Sequence, residues 1–115
     1  MSAGQFNFKP ITRGDTLLAT GFTLKTTDPV AVVDLTGAAI KIAFKKYEIL
    51  IEKTIGNGVT VTDPSSGYFL LDDLIFTDFG KYDYDVEVTF ANGDIATILQ
   101  GYLEVRKDVS QNINI

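Results

Sequence analysis

KYDYDVEVTF, residues 81–90, alternates apolar and polar side chains at every position after its first lysine. A period of two residues is typical of a β-strand that buries one face and exposes the other. The segment therefore predicts a long strand. Its inward side chains are Tyr82, Tyr84, Val86, Val88 and Phe90.

The strand is followed by Ala91-Asn92-Gly93-Asp94 and a second apolar segment. Asn-Gly is the preferred pair for a two-residue type I′ turn, because both positions need a positive φ. A turn at Asn92-Gly93 keeps apolar residues on one face of both strands. The predicted register pairs Phe90 with Ile95, Val88 with Thr97, Val86 with Leu99, Tyr84 with Gly101, and Tyr82 with Leu103. We expect the Tyr84 ring to cover the bare backbone of Gly101.

Further strands are predicted upstream of the hairpin, within residues 16–71. Residues 16–25 place Leu18, Phe22 and Leu24 on one parity, and residues 38–44 do the same for Ala38, Ile40, Ile42 and Phe44. Apolar runs at 49–55, 59–61 and 68–71 are separated by turn sequences rich in Gly, Asn, Asp and Pro. Phe6 and Phe8 precede Pro10, which suits an edge strand or an arm packed along the first sheet. Residues 75–80 are expected to form a short helical turn or an irregular crossover.

About seven or eight short strands with this spacing favour an all-β fold, an immunoglobulin-like antiparallel β-sandwich. A small barrel is the alternative that periodicity leaves open. The 115 residues leave room for a single domain, 1–115, with short arms at about 1–9 and 107–115. There is no Cys, no signal-peptide pattern and no apolar run long enough to span a bilayer, so we expect a soluble protein with no membrane partner.

The charge disfavours nucleic acid as a partner. Ten basic residues stand against 15 acidic ones, and the net charge of −5 repels a phosphate backbone. Lys41, Lys45, Lys46 and Lys53 form a local basic cluster. Because Lys41 and Lys45 share strand parity with Ala39 and Ala43, we interpret this face as solvated.

Residues suited to catalysis are scarce. The chain has neither His nor Cys, which removes the commonest general base, the commonest nucleophile of low pKa and the usual zinc ligands. Asp83, Asp85 and Glu87 are predicted to line the outer face of a strand, open to water. Calcium binding by these three, with Asp72 and Asp73, is the alternative, but no loop has the spacing of a calcium loop. We therefore expect no catalytic residue, no metal, no cofactor, no small-molecule substrate and no enzymatic activity.

Two other patterns have structural interpretations. Arg13-Gly14-Asp15 spells a cell-adhesion tripeptide, but at the start of a strand it predicts a turn in which Gly14 takes a special backbone angle. An aromatic platform for sugars would need exposed rings. The parity of Tyr82, Tyr84, Phe90, Phe44 and Phe22 predicts that these rings are in the core.

Several short motifs, in order, carry a resemblance to a known group of proteins. They are Ile11-Thr12-Arg13-Gly14-Asp15-Thr16, Val33-Asp34-Leu35-Thr36-Gly37-Ala38, Gly67, Gly80-Lys81-Tyr82-Asp83-Tyr84-Asp85-Val86, Gly93, Thr97, Gly101 and Val105. Over about residues 8–109 the chain resembles small bacteriophage structural proteins and the N-terminal domain of upper baseplate proteins of phages that infect Gram-positive bacteria. The resemblance implies an immunoglobulin-like adaptor in a virion, made in the host cytoplasm. It also implies packing in a tail, baseplate or head against copies of itself or other virion proteins. Upper baseplate proteins continue into long helical and receptor-binding parts, so the trimeric arm role is not carried over.

The same motifs also have a physical interpretation as features that specify the fold. Asp34-Leu35-Thr36-Gly37 predicts a turn in which Asp34 or Thr36 caps backbone N–H groups and Leu35 enters the core. Gly80 allows the bend before Tyr82, in the manner of a tyrosine corner. The full predicted set is Gly14, Asp15, Asp34, Leu35, Thr36, Gly37, Gly80, Tyr82, Tyr84, Asn92, Gly93 and Gly101.

The C-terminal residues suggest an assembly arm. Val109, Ile113 and Ile115 are spaced among polar residues in a segment too short to fold alone. We hypothesise that one or both ends of the chain add as a strand to the sheet edge of a neighbouring subunit. The alternative function is a carbohydrate- or host-surface-binding module, which the absence of Trp and the Gly, Asn, Asp and Ser content of the loops disfavour.

Overall fold

The computed structural model describes residues 4–27 and 29–107, and in these ranges regular structure consists of strands and one short 3₁₀ turn, Pro64–Ser66. The strands are β1 Gly4–Gln5, β2 Ile11–Thr12, β3 Thr16–Leu17, β4 Thr20–Thr23, β5 Lys25–Thr27, β6 Val30–Val32, β7 Ala39–Lys46, β8 Ile49–Ile55, β9 Gly58–Thr60, β10 Tyr68–Leu71, β11 Leu74–Ile75, β12 Gly80–Thr89 and β13 Ile95–Arg106.

Nine of the described strands form one continuous sheet, which folds over into two packed layers that we call the front and back sheets. The front sheet has the order β13-β12-β7-β8, with β1 and β2 both paired in parallel with β13. The back sheet has the order β9-β10-β4. The chain crosses between the layers after β8, where Thr54 and Ile55 pair in parallel with Gly58 and Val59. Small two-stranded sheets, β3 with β11 and β5 with β6, complete the described part of the fold.

This arrangement is an immunoglobulin-like β-sandwich, which confirms the predicted fold class. The long neighbouring strands of the front sheet are antiparallel, and the strand path ends at β1 and β4 without joining them, so no barrel closes. A tyrosine corner supports the assignment: the Tyr82 hydroxyl donates to the carbonyl oxygen of Asp78, 2.9 Å away, just before β12.

The core lies between the two sheets and consists of apolar and aromatic side chains. Burial of such surface, at about 25 cal/mol per Å², is the main favourable term in folding. The buried residues are Phe8, Leu17, Leu35, Ile40, Ile42, Phe44, Val59, Phe69, Leu71, Phe76, Tyr82, Tyr84, Val86, Val88, Ile98, Leu103 and Val105.

The long hairpin of β12 and β13 follows the predicted register only in the half that lies away from the turn. Val86 pairs with Leu99, Tyr84 with Gly101 and Tyr82 with Leu103, as predicted. Nearer the turn, Val88 pairs with Ala96 and Thr89 with Ile95, so the predicted pairs Val88–Thr97 and Phe90–Ile95 are wrong.

A three-residue loop and a β-bulge explain the difference. Gly93 N–H donates to Phe90 O and Phe90 N–H to Asp94 O, both at 2.8 Å. Gly93 has a φ of +94°, but Asn92 has no positive φ, which excludes the predicted type I′ turn. The extra loop residue shifts the pairing by one, and a bulge at Ile98 shifts it back. Ile98 therefore faces the core, while Ile95, predicted to face inward, is exposed.

The strand predicted over residues 16–25 is interrupted. β3 pairs with β11 in a small sheet, whereas β4 pairs with β10 in the back sheet. The break at Leu18–Ala19 changes the parity, so Leu17 is buried and Leu18 is 71% exposed. The prediction that Leu18 faces the core is therefore wrong. The crossover at residues 75–80 begins as strand β11 and holds Phe76 in the core, with no helical turn.

The N-terminal segment is hydrogen-bonded along β13. Phe6 N–H donates to Gln100 O and Phe8 N–H to Tyr102 O, both at 3.0 Å. Gly101 makes this approach possible, because a Cβ there would collide with the Phe6 carbonyl group. The N-terminal backbone therefore covers Gly101, and the Tyr84 ring packs against Phe8.

Candidate interaction surfaces

Two of the predicted turn motifs order the loops at one end of the sandwich. Asp34 Oδ1 accepts hydrogen bonds from Thr36 Oγ1, 2.6 Å, and from Thr36 N, 2.9 Å, and these bonds lower the pKa of Asp34. Leu35 points into the core, and Gly37 has a φ of +76°. Asp63 makes the same contacts with Ser65, N–H and hydroxyl.

The other predicted fold-specifying residues lie at bends or beneath the front sheet. Gly14 has a φ of +88° in a turn that Asp15 N–H closes on Thr12 O at 2.9 Å. Gly80 has a φ of +134° at the start of β12. Burial raises the pKa of Tyr84 to about 12. Burial also raises the pKa of Tyr82, and the negative charge of the nearby Asp78 carboxylate adds a smaller effect in the same direction. These residues are spread through the fold rather than gathered at one site.

The outward side of the front sheet forms an open groove of about 630 Å³, which we call the charged face. The small residues Ala43 and Gly101 contribute to its lining. The charged or polar residues around it are Gln5, Lys41, Lys45, Glu52, Asp83, Asp85, Glu87 and Gln100, with Leu50 and Tyr102 as larger apolar neighbours.

Charges of opposite sign alternate across this face. Lys41 Nζ lies 3.7 Å from Glu52 and 3.8 Å from Glu87, and Lys45 stands opposite Asp83 in the strand register. These pairs are solvent-exposed, and such pairs are worth about 0–1 kcal/mol each. The face is therefore solvated and of mixed charge, as predicted for Lys41 and Lys45, and it is suited to polar contacts.

The carboxylates considered for calcium are not brought together. Asp72 Oδ1 accepts a hydrogen bond from Thr60 Oγ1 at 2.8 Å, and Asp73 Oδ1 accepts one from Ala19 N at 2.7 Å. Both carboxylates therefore make hydrogen bonds within the fold, away from the front sheet. Among residues 4–27 and 29–107, no group of three or more His, Cys, Asp or Glu side chains is placed to hold a metal ion.

Strand β8 forms one free edge of the front sheet. On one side β8 pairs with β7 along Ile49–Thr54, and on the other it pairs with β9 only at Thr54 and Ile55. Residues 49–53 consequently have an unpaired backbone edge in the part of the chain that the structure describes. The apolar run at residues 49–55 predicts this strand but not its position at the edge, because strand order depends on distant parts of the chain.

Tyr47 is an exposed aromatic residue that sequence analysis missed. It is 87% exposed at the tip of the β7–β8 turn, and its φ of +52° is a backbone conformation that bulky residues rarely adopt. The Lys46 ammonium lies 5.2 Å from its ring centroid. The sequence does contain a signal for this exposure, because Tyr47 lies in the short connection between two predicted strands.

The predicted assembly-arm residues Val109, Ile113 and Ile115 lie outside the described residues. Within the described ranges, no helix has the length and apolar character needed to cross a membrane.

Topology and surface together define the class of protein as an immunoglobulin-like β-sandwich with an open, charged front sheet. No protein-family model matches the chain, and no curated protein matches it. Among solved structures, murine CRIg is similar, with a TM-score of 0.35 and 10% sequence identity over 90% of this chain and 92% of that one. At this level the likeness carries no statement about function.

Proposed function

We propose that this chain is a non-enzymatic structural or adaptor protein of a bacteriophage virion, located in the tail, baseplate or head. Its partners are other virion proteins and copies of itself. The resemblance of its ordered motifs to phage structural proteins supports the virion assignment, and the surface supports action through protein–protein contact.

The use of the titratable groups carries the non-enzymatic part of the proposal. Perturbed pKa values commonly mark catalytic groups, so their location is informative. The described side chains with a shifted pKa are Asp34, Tyr82 and Tyr84. Each makes a hydrogen bond to a backbone group that stabilises the fold, in the turn after Asp34, before β12 or in the N-terminal segment. The carboxylates of the charged face are open to water and lack an enclosing pocket.

Mass spectrometry of particles purified from the phage that encodes the chain tests the virion role. We expect the protein at a fixed copy number per particle, retained through density-gradient purification and washing in high salt. Chemical cross-linking of the same particles would identify the neighbouring proteins and therefore the location. Particles that lack the protein would reject the proposal.

Binding to a carbohydrate or to the host surface is the second candidate, and the exposed Tyr47 ring favours it. Aromatic side chains that present a face to solvent are suited to stacking on sugars. A glycan array with the wild type and Tyr47→Ala separates the two candidates. Strong binding that Tyr47→Ala abolishes would favour the module, whereas no signal would favour the structural role.

A further inference from the structure

The open edge of β8 is oriented to accept another strand. Thr54 N–H donates to Asn57 O at 3.1 Å, and Thr54 O accepts from Asn57 N at 2.8 Å, so the Thr54 backbone faces away from β7. Backbone groups alternate in direction along an antiparallel strand. Leu50 and Glu52 therefore also direct their N–H and C=O groups to the open side.

The layer beneath this edge is incompletely covered. Ile49 and Ile51 point inward and pack against the core, yet both remain half-buried at the border of the sandwich. A strand added beside β8 would place its own inward side chains next to these two residues. Such a strand needs apolar residues on one parity and polar residues on the other.

The C-terminal segment of this protein has that pattern. In residues 108–115 the odd positions are Val109, Gln111, Ile113 and Ile115, and the even positions are all polar: Asp108, Ser110, Asn112 and Asn114. We propose that residues 108–115 of one copy add as a strand to the β8 edge of a second copy. This inference rests on the proposed function, since it names the contact through which copies assemble.

The geometry favours a second copy over the segment's own chain. Arg106 ends β13, and a strand added on the open side of β8 would lie four strand positions from β13, a distance of about 19 Å at the usual strand spacing. Eight extended residues reach about 26 Å, so crossing to the open side of β8 would consume more than half of them. Val109 would then be left off the edge. A segment from another copy has no such limit.

The edge strand β4, at one end of the strand path in the described fold, is a poorer acceptor than β8. It has only four residues, Thr20–Thr23, and the Tyr68 ring lies over Gly21 near its centre. The seven-residue β8 offers a longer run of backbone groups, and Ile49 and Ile51 beneath it remain to be covered.

Disulfide trapping between two full-length chains tests the contact directly, because the natural chain has no cysteine. One chain carries Asn112→Cys and the other carries Glu52→Cys, and the two are mixed and mildly oxidised. We expect a cross-linked heterodimer in high yield. The matched control replaces Glu52→Cys with Thr23→Cys on β4. Equal yields from the two mixtures, or none from the first, would overturn the proposal.

Sedimentation velocity of full-length variants tests whether the contact drives assembly. Glu52→Pro removes an N–H from the open side of β8, where proline is tolerated in edge strands, and Glu52→Ala is its control. Because proline also changes the backbone, Ile113→Asp tests the other partner, with Asn112→Asp as control. We expect Glu52→Pro and Ile113→Asp to weaken self-association about tenfold or more, and the controls to change it by less than about twofold.

The outcomes separate this inference from the virion role. Self-association through both segments by a protein that is absent from particles would reject the virion role and leave the contact standing. If the protein is present in particles but stays monomeric, or if Glu52→Pro and Ile113→Asp do not change its self-association, the contact is rejected and the virion role is not affected.

Discussion

The Tyr84 hydroxyl donates a hydrogen bond to the carbonyl oxygen of Phe6, 78 residues earlier in the chain. The same Phe6 carbonyl group occupies the space that a side chain at position 101 would need, and Gly101 leaves that space open. Tyr84 and Gly101 are paired across β12 and β13. Together they bind the N-terminal segment to the front sheet, so the stability of that sheet depends on residues from both ends of the chain.

Removing the Tyr84 hydroxyl tests this link. Tyr84→Phe keeps the buried ring but leaves the Phe6 carbonyl oxygen without this partner, and we expect a loss of about 1–2 kcal/mol in the free energy of unfolding. Urea unfolding followed by circular dichroism measures it. Tyr102→Phe, at an exposed tyrosine of β13, is the control and should change stability by less than about 0.5 kcal/mol. Equal effects of the two substitutions would contradict the link.

The raised pKa of Tyr84 predicts a loss of stability in alkali. Burial raises this pKa from the ordinary 10.0 to about 12, so the folded state holds the proton more tightly than the unfolded state. The resulting stabilisation is complete below pH 10 and is lost as the pH rises from 10 through 12. Urea midpoints measured between pH 9 and 12 should fall for the wild type and fall less steeply for Tyr84→Phe. A residual slope is expected from Tyr82, and identical slopes would contradict the assignment.

A methyl group at position 101 should detach the N-terminal segment. In Gly101→Ala the new Cβ meets backbone atoms of Phe6, which cannot move aside as a flexible side chain would. We expect a loss of about 1–3 kcal/mol and faster amide hydrogen exchange at Phe6 and Phe8. Gln100→Ala, at the exposed neighbouring position, is the control. Unchanged exchange at Phe6 in Gly101→Ala would show that the segment does not depend on this close approach.

The fold class could be predicted from local patterns, because alternation along residues 82–88 is set by which side chains must be buried. Predictions of which side chains face the core were wrong where the backbone departs from a regular strand. The breaks at Leu18 and Ile98 each change parity, and neither is visible in hydrophobic alternation alone. Asn92-Gly93 marked a turn correctly, but the pair is compatible with more than one loop length.

The candidate surfaces were less accessible to sequence analysis. The outward position of Lys41, Lys45 and the β12 carboxylates follows from parity within single strands. The open edge of β8 depends on strand order, which is decided by contacts between residues far apart in sequence. The backbone angle of Tyr47 depends on the turn that joins two particular strands, so composition did not reveal it.

The bulge at Ile98 provides a direct test between the two registers of the hairpin. In the regular register Ile95 would face the core, whereas in the structure Ile98 is 7% exposed and Ile95 is 65% exposed. Ile98→Ala should therefore cost about 2–4 kcal/mol through lost burial and the cavity it leaves. Ile95→Ala should change stability by less than about 0.5 kcal/mol, as surface substitutions usually do.

Urea unfolding of the two alanine variants, side by side with the wild type, measures both values. The variants remove the same side chain three positions apart in one strand, so propensity effects largely cancel in the comparison. A larger cost for Ile95→Ala than for Ile98→Ala would mean that the two-residue Asn-Gly turn forms. It would also mean that β13 runs without a bulge, and Thr97 rather than Ile98 would then face the core.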